Sequence, residues 1–139
     1  MGALAKRVLV VEDDLSLRPL WENFFRHRAE SVELEWAVSC EEAVKMVRLA
    51  NQQAWPFFLI ITDIFLAGSG TGMELLSSDE VLNSKARTIL VSVADRDEII
   101  EKFRHLIPTT EVMSKPLDFK KYEPVINNIL KARDFNGHR

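Results

Sequence analysis

Two apolar runs in this chain end in acids, and those acids are the residues best placed to do chemistry. The first is Phe57-Phe58-Leu59-Ile60-Ile61-Thr62-Asp63, and the second is Arg7-Val8-Leu9-Val10-Val11 followed by Glu12, Asp13 and Asp14. Two more polar residues close similar runs: Ser92 ends Thr88 to Ser92, and Lys115 follows Val112 to Ser114. If Glu12, Asp13 and Asp63 converge, their mutual repulsion raises each pKa unless a cation shares the site. An oxygen-only donor set favours a hard divalent ion, and a few carboxylates with positions left for water suit Mg²⁺.

Convergence depends on the elements that carry these residues. The Phe57 to Asp63 run enters through Pro56 and has no polar residue before Thr62, which predicts a strand buried on both faces. Strands of that kind belong to parallel sheets covered by helices. Arg7 to Val11, Thr88 to Ser92 and Val112 to Ser114 read the same way, while Val32, Leu34 and Trp36 alternate with Glu33 and Glu35, as in an edge strand with one wet face. Leu17, Leu20, Trp21, Phe24 and Phe25 recur at helical spacing, with Ser16 as the expected N-cap and Pro19 in the first turn. Ala43, Val44, Val47 and Ala50 form a second helical stripe that starts at Glu41, just after Cys40. A short helical piece spans Met73 to Ser77. Ile99, Ile100, Phe103 and Leu106 mark the fourth helix, and Tyr122, Val125, Ile126, Ile129 and Leu130 the fifth.

This alternation predicts one α/β domain, a doubly wound five-stranded parallel sheet with helices on both faces. Its core covers residues 6–132 of 1–139, and 133–139 form a frayed tail. Right-handed crossovers and an edge position for the second strand are both met by the strand order 2-1-3-4-5. That order makes strands one and three neighbours, so Glu12, Asp13 and Asp63 meet at the switch point, with Ser92 and Lys115 facing the same crevice.

Composition narrows the function classes. With 18 basic and 21 acidic residues the net charge is -3, which gives no basic field for nucleic acid or anionic membrane. No stretch approaches a membrane span and residues 1–7 lack a signal-peptide core, so the expectation is a cytoplasmic protein without direct nucleic-acid or membrane contact. Cys40 is the only cysteine and is read as a packing or capping residue. The stretch Gly68 to Gly72 (GSGTG) lacks the Lys-Ser/Thr of a nucleotide-binding loop and reads as a flexible loop. His27 and His105 read as surface or boundary residues, and Trp21, Trp36 and Trp55 as packing residues.

Across nearly its whole length the chain resembles the receiver domains of bacterial two-component response regulators, which are flavodoxin-like. The carriers are VLVVEDD (Val8 to Asp14), the strand end LIITD at Asp63, LVS ending at Ser92, and the pair Lys115-Pro116. The resemblance implies that Glu12 and Asp13 hold Mg²⁺, Asp13 directly and Glu12 through water, with Asp63 and the Phe65 carbonyl completing the protein part of the shell. Asp14 then remains a solvated or helix-start acid. It also implies that Asp63 accepts a phosphoryl group from a histidine kinase or phosphotransfer protein, and that Ser92 and Lys115 contact the phosphoryl oxygens. A cis Lys115-Pro116 bond is implied as well, as is signalling to a downstream protein through the face of the fourth helix, fifth strand and fifth helix. Such a module is no enzyme beyond accepting a phosphoryl group and slowly losing it. The expectation is a receiver acting alone.

Several positions depart from the family pattern. Ala67 stands where a proline is usual, the expected glycine comes one residue late at Gly72, Val93 replaces a smaller residue, and Val112 replaces the aromatic rotamer switch. The alternative is therefore a pseudo-receiver, an interaction module not switched by phosphorylation. A phosphatase of the haloacid dehalogenase type also uses a strand-ending aspartate. It needs a second acid two residues on, where this chain has Phe65.

Overall fold

A computed structural model of the chain describes residues 5–66, 68, 70–93, 96–103 and 109–132, with backbone alone at 96, 102 and 103. Its elements are β1 (Lys6–Val11), a 3-10 turn (Leu15–Leu17), α1 (Arg18–Arg26), β2 (Val32–Ala37), α2 (Cys40–Gln52), β3 (Leu59–Asp63), α3 (Gly72–Leu76), α4 (Asp79–Ser84), β4 (Arg87–Ser92), α5 (Arg96–Phe103), β5 (Glu111–Ser114) and α6 (Phe119–Lys131). The five strands form one parallel sheet in the order β2-β1-β3-β4-β5, the order expected from the sequence.

Alternation along the central strands divides the core in two. Leu9, Val11, Ile60 and Leu90 point to the face covered by α2, α3, α4 and α5, where Ala43, Val47, Leu75, Val81 and Ile99 meet them. Val8, Val10, Leu59, Ile61, Ile89 and Val91 point to the other face, packed by Trp21, Phe24 and Phe25 of α1 and by Tyr122, Ile126, Ile129 and Leu130 of α6. All five residues of β3 are buried. Each fully buried aliphatic side chain there contributes about 1.5–3 kcal/mol, which is why this run anchors the sheet. β2 pairs only with β1 and keeps Glu33 in water, as an edge strand should.

Some boundaries differ from expectation. The regular part of β3 starts at Leu59, although Phe58 already donates to the Arg7 carbonyl (2.8 Å) and accepts from Arg87 (2.9 Å). Ser16 does not cap α1. Asp14 accepts from both the Ser16 N–H (3.0 Å) and its hydroxyl (2.6 Å), because a carboxylate is the better acceptor, and the 3-10 turn intervenes before α1. Cys40 is the first residue of α2, buried, and Ser39 caps that helix. α4 was not expected, yet its signals are present: Ser78 accepts from the Val81 N–H and Asp79 and Glu80 occupy the first turn. Counted with the long helices, α5 and α6 are the fourth and fifth helices of the sequence reading. His27 is exposed, as expected. Ala67, Ala94, His105, Leu106 and the tail at 133–139 lie outside the described residues. No helix among the described residues is long and apolar enough to cross a membrane.

Candidate functional site

The carboxyl ends of β1, β3, β4 and β5 carry the site. Val11 pairs with Thr62, so Glu12 and Asp63 leave adjacent strands at one level. Ser92 pairs with Ser114, and the Lys115 N–H donates to the Ser92 carbonyl at 2.8 Å, extending the ladder by one bond. The Lys115-Pro116 peptide is cis, as expected. The Lys115 side chain reaches across the crevice: its ammonium donates to Glu12 Oε1 at 2.7 Å and to Asp63 Oδ2 at 2.6 Å. Glu12 and Asp63 are both buried, only 4% and 9% exposed.

Burial pushes the Glu12 carboxyl above its usual range; the Lys115 bond and the Asp14 N–H oppose this, and the charge of Asp63 adds to it. Burial would also depress the Lys115 ammonium. The bonds and charges of Asp63 and Glu12 outweigh that and hold it above its ordinary value. Exposed Asp14 is lowered by the bonds from Ser16, in keeping with a helix-start acid.

The six residues singled out from the sequence are thus unequally placed. Glu12, Asp63 and Lys115 form one bonded cluster, and Ser92 ends β4 beside it with no exposed surface. The Phe65 N–H donates to Asp63 Oδ1 (3.2 Å) while its ring is 66% exposed. Asp13 is exposed, and among the described residues no three His, Cys, Asp or Glu side chains are grouped so as to hold a metal. The chemistry of the donors nevertheless fits a hard cation. Among the described residues, two buried carboxylates share a single ammonium, which leaves one negative charge uncompensated, and all these donors are oxygens.

Three residues that hold the site were not singled out for that role. The Thr62 hydroxyl donates to the Asp63 carbonyl at 2.9 Å. Gly72 packs its α-carbon on the same carbonyl, and its N–H donates to Ile64 at 2.8 Å. Its displacement by one residue from the family position was visible in the sequence; the close approach that requires glycine was not. Tyr122 accepts the Ser114 N–H through its hydroxyl (2.9 Å) and so fixes the end of β5 just before Lys115. Exposed Leu15, Phe65 and Val93 stand on the loops after β1, β3 and β4.

No protein-family model matches the chain, and no curated protein matches it in sequence. Solved structures do match. A CheY-like response regulator receiver domain protein from Methanospirillum hungatei is 21% identical with a TM-score of 0.71, covering 91% of this chain and 94% of its own. A two-component response regulator from Clostridium difficile is 19% identical with a TM-score of 0.72, over 91% of this chain and 96% of its own. The phosphorylated cyanobacterial phytochrome response regulator RcpA is 14% identical with a TM-score of 0.68, over 91% of each chain. The chain therefore has the fold of response-regulator receiver domains. Within that fold its Glu12, Asp63 and Lys115 lie together at the carboxyl edge of the sheet.

Proposed function

We propose that the protein is a phosphoacceptor signalling module of a two-component or phosphorelay system, modified on Asp63. The observation that carries this reading is the Lys115 ammonium held between Glu12 and Asp63. A carboxylate oxygen of Asp63 attacks the phosphorus of a phosphohistidine. A P–O bond forms, the P–N bond breaks, and its electron pair stays on the imidazole, which takes up a proton. Anionic oxygens approach an anionic nucleophile in this step, so the protein's part is positioning and charge neutralisation. Lys115 supplies fixed positive charge, the Ser92 hydroxyl is the proposed donor to a phosphoryl oxygen, and the Phe65 N–H orients Asp63. Mg²⁺, held by Glu12, Asp13, Asp63 and the Phe65 carbonyl, would supply the charge that one ammonium leaves uncompensated.

On this reading the protein is cytoplasmic, and its partners are a histidine kinase or phosphotransfer protein and a downstream protein met through the α5, β5 and α6 face. Exposed Leu15, Phe65 and Val93 suit a protein contact at the crevice. The module turns over no substrate of its own beyond gaining and losing the phosphoryl group. The alternative, an interaction module that phosphorylation does not switch, is favoured by one observation: Asp13 is not grouped with Glu12 and Asp63.

Acetyl phosphate with Mg²⁺ should add one phosphoryl group, read by intact-protein mass spectrometry, and Asp63→Asn should abolish it. No mass gain in the parent at millimolar Mg²⁺ and no binding of beryllofluoride would leave the interaction module as the surviving reading.

A further inference from the structure

Five residues link the Asp63 site to a distant surface. Lys115 bonds both acids, and four residues further along the same segment Phe119 opens α6 with its ring edge-on to Trp21 of α1, the centroids 4.9 Å apart. Trp21 is 2% exposed. With Leu117 it lines a cavity of about 10 Å³ whose walls also include Glu12 and Asp63 themselves. One indole thus touches the space beside the acids and the ring at the head of α6.

The contacts continue outward. Phe24 lies 5.2 Å from Phe119 and 6.3 Å from Trp21, and Phe25 stacks on Trp21 at 5.9 Å. Phe24 and Phe119 then line an open groove of about 380 Å³ between α1 and α6, bordered by Asn23, His27 and Lys120. The groove's far wall is tied by Arg28, whose guanidinium lies over the Phe24 ring at 4.2 Å and donates to Glu123 at 2.6 Å.

We infer that this ring stack, Trp21, Phe24 and Phe119, carries the charge state of the Asp63 site to the groove between α1 and α6. The inference rests on the reading of Asp63 as a phosphoacceptor. An anionic group added to Asp63 draws the Lys115 ammonium away from Glu12 toward its own oxygens, and both acids line the same small cavity as Trp21 and Leu117, so a shift of either acid is felt by the indole. Packed interiors rearrange between discrete arrangements rather than deforming smoothly. The small cavity that Leu117 and Trp21 share with the acids is a loosely filled spot along this route, so a small displacement there need not overfill the core. Val112, at the position of the aromatic switch in the resemblance drawn above, is buried among aliphatic side chains on the opposite face of the sheet and offers no ring for this task.

The test uses the full chain, Mg²⁺ and beryllofluoride, followed by ¹H–¹⁵N NMR. The amides of Phe65 and Lys115 report filling of the site, the Trp21 indole reports the stack, and the amides of Asn23, His27 and Lys120 report the groove. The Trp55 indole, bonded to the Ala5 carbonyl at the other end of the sheet, is the control. We expect site, indole and groove signals to shift together while Trp55 stays still. In Phe119→Leu, where an aliphatic side chain replaces a half-buried ring, the site signals should respond as before and the groove response should fall by at least about half. Site signals that respond while the groove stays silent, or a groove response undiminished in Phe119→Leu, would overturn the inference and leave the phosphoacceptor reading intact. Site signals that fail to respond remove that reading and the inference with it.

Discussion

The α-carbon of Gly72 lies against the main-chain carbonyl of Asp63, so close that a Cβ built there would stand 2.1 Å from the carbonyl oxygen and 2.9 Å from its carbon. The opposing atoms are backbone at the end of the central strand β3, where Asp63 still pairs with Val91, and cannot rotate away. Gly72→Ala should therefore push the start of α3 off β3 and cost about 2–3 kcal/mol, the upper range for overpacking. Urea denaturation measures it, and a loss below about 0.5 kcal/mol would mean that the loop relaxes freely. Because Asp63 is the residue pushed, the variant should also take up acetyl phosphate poorly at temperatures where it remains folded.

Lys115→Met tests the charge cluster apart from catalysis. The substitution keeps most of the stem and removes the ammonium from Glu12 and Asp63, leaving two buried carboxylates without a countercharge. Breaking a fully buried pair costs roughly 3–5 kcal/mol. The Lys115 side chain is 16% exposed, so water offsets part of this and about 2 kcal/mol is expected. The comparison belongs in chelator-containing buffer, and Glu12→Gln in the same background should restore much of the loss. An additive second substitution would show that the two groups do not interact.

Sheet order was readable because the evidence for it is local and repeated: each central strand is an unbroken apolar run, and the one alternating strand, Val32 to Trp36, had to lie at the edge. Glu12, Asp63 and Lys115 were readable for the same reason, since each directly follows such a run. Asp13 shows where strand alternation gives no guidance: it stands at a bend beyond the end of β1, exposed where Glu12 is buried, and which way a residue past the strand end turns is not written in the apolar pattern. The support given by Thr62, Gly72 and Tyr122 was hidden because each contact is made to a main-chain group of a residue nearby in sequence, and such contacts leave no mark on apolar periodicity. α4 was missed for a different reason: six residues are too few for apolar periodicity to register, and only its Ser78 cap and acidic first turn marked it.

At the end of α2, Ala54 holds the left-handed conformation with φ at 58° and is exposed. A Cβ in that conformation costs roughly 1–2 kcal/mol, while an exposed alanine contributes little packing in return. Ala54→Gly should raise stability by about 1 kcal/mol, read as a higher urea midpoint with unchanged slope. A lower midpoint would mean that the entropy of the unfolded chain outweighs the relief of strain.

The last prediction concerns the lifetime of the phosphorylated state and follows from the proposed role of Asp63. Hydrolysis needs a water in line with the bond between Asp63 and phosphorus, and the resemblance to receiver domains implies that the loops holding Phe65 and Ala94 flank that approach. In the first, the Phe65 main chain is fixed by its N–H bond to Asp63 while the ring stands 66% exposed, so the side chain is not committed to the core. It has no group that could hydrogen-bond an attacking water. Ala94, the corresponding residue of the second loop, lies outside the described residues, and an alanine side chain has no such group either. With neither side chain able to orient water, decay of a phosphorylated Asp63 should be slow. Phe65→Asn with Ala94→Glu supplies an amide and a carboxylate at these positions and should speed dephosphorylation by at least about tenfold, which asks for only ~1.4 kcal/mol of barrier. Because the ring is largely in solvent, the double variant should keep its denaturation midpoint. Decay of the phosphorylated species, followed in both proteins at one Mg²⁺ concentration, checks the rate. An unchanged or slower decay would show that water reaches the phosphorus without help from either side chain.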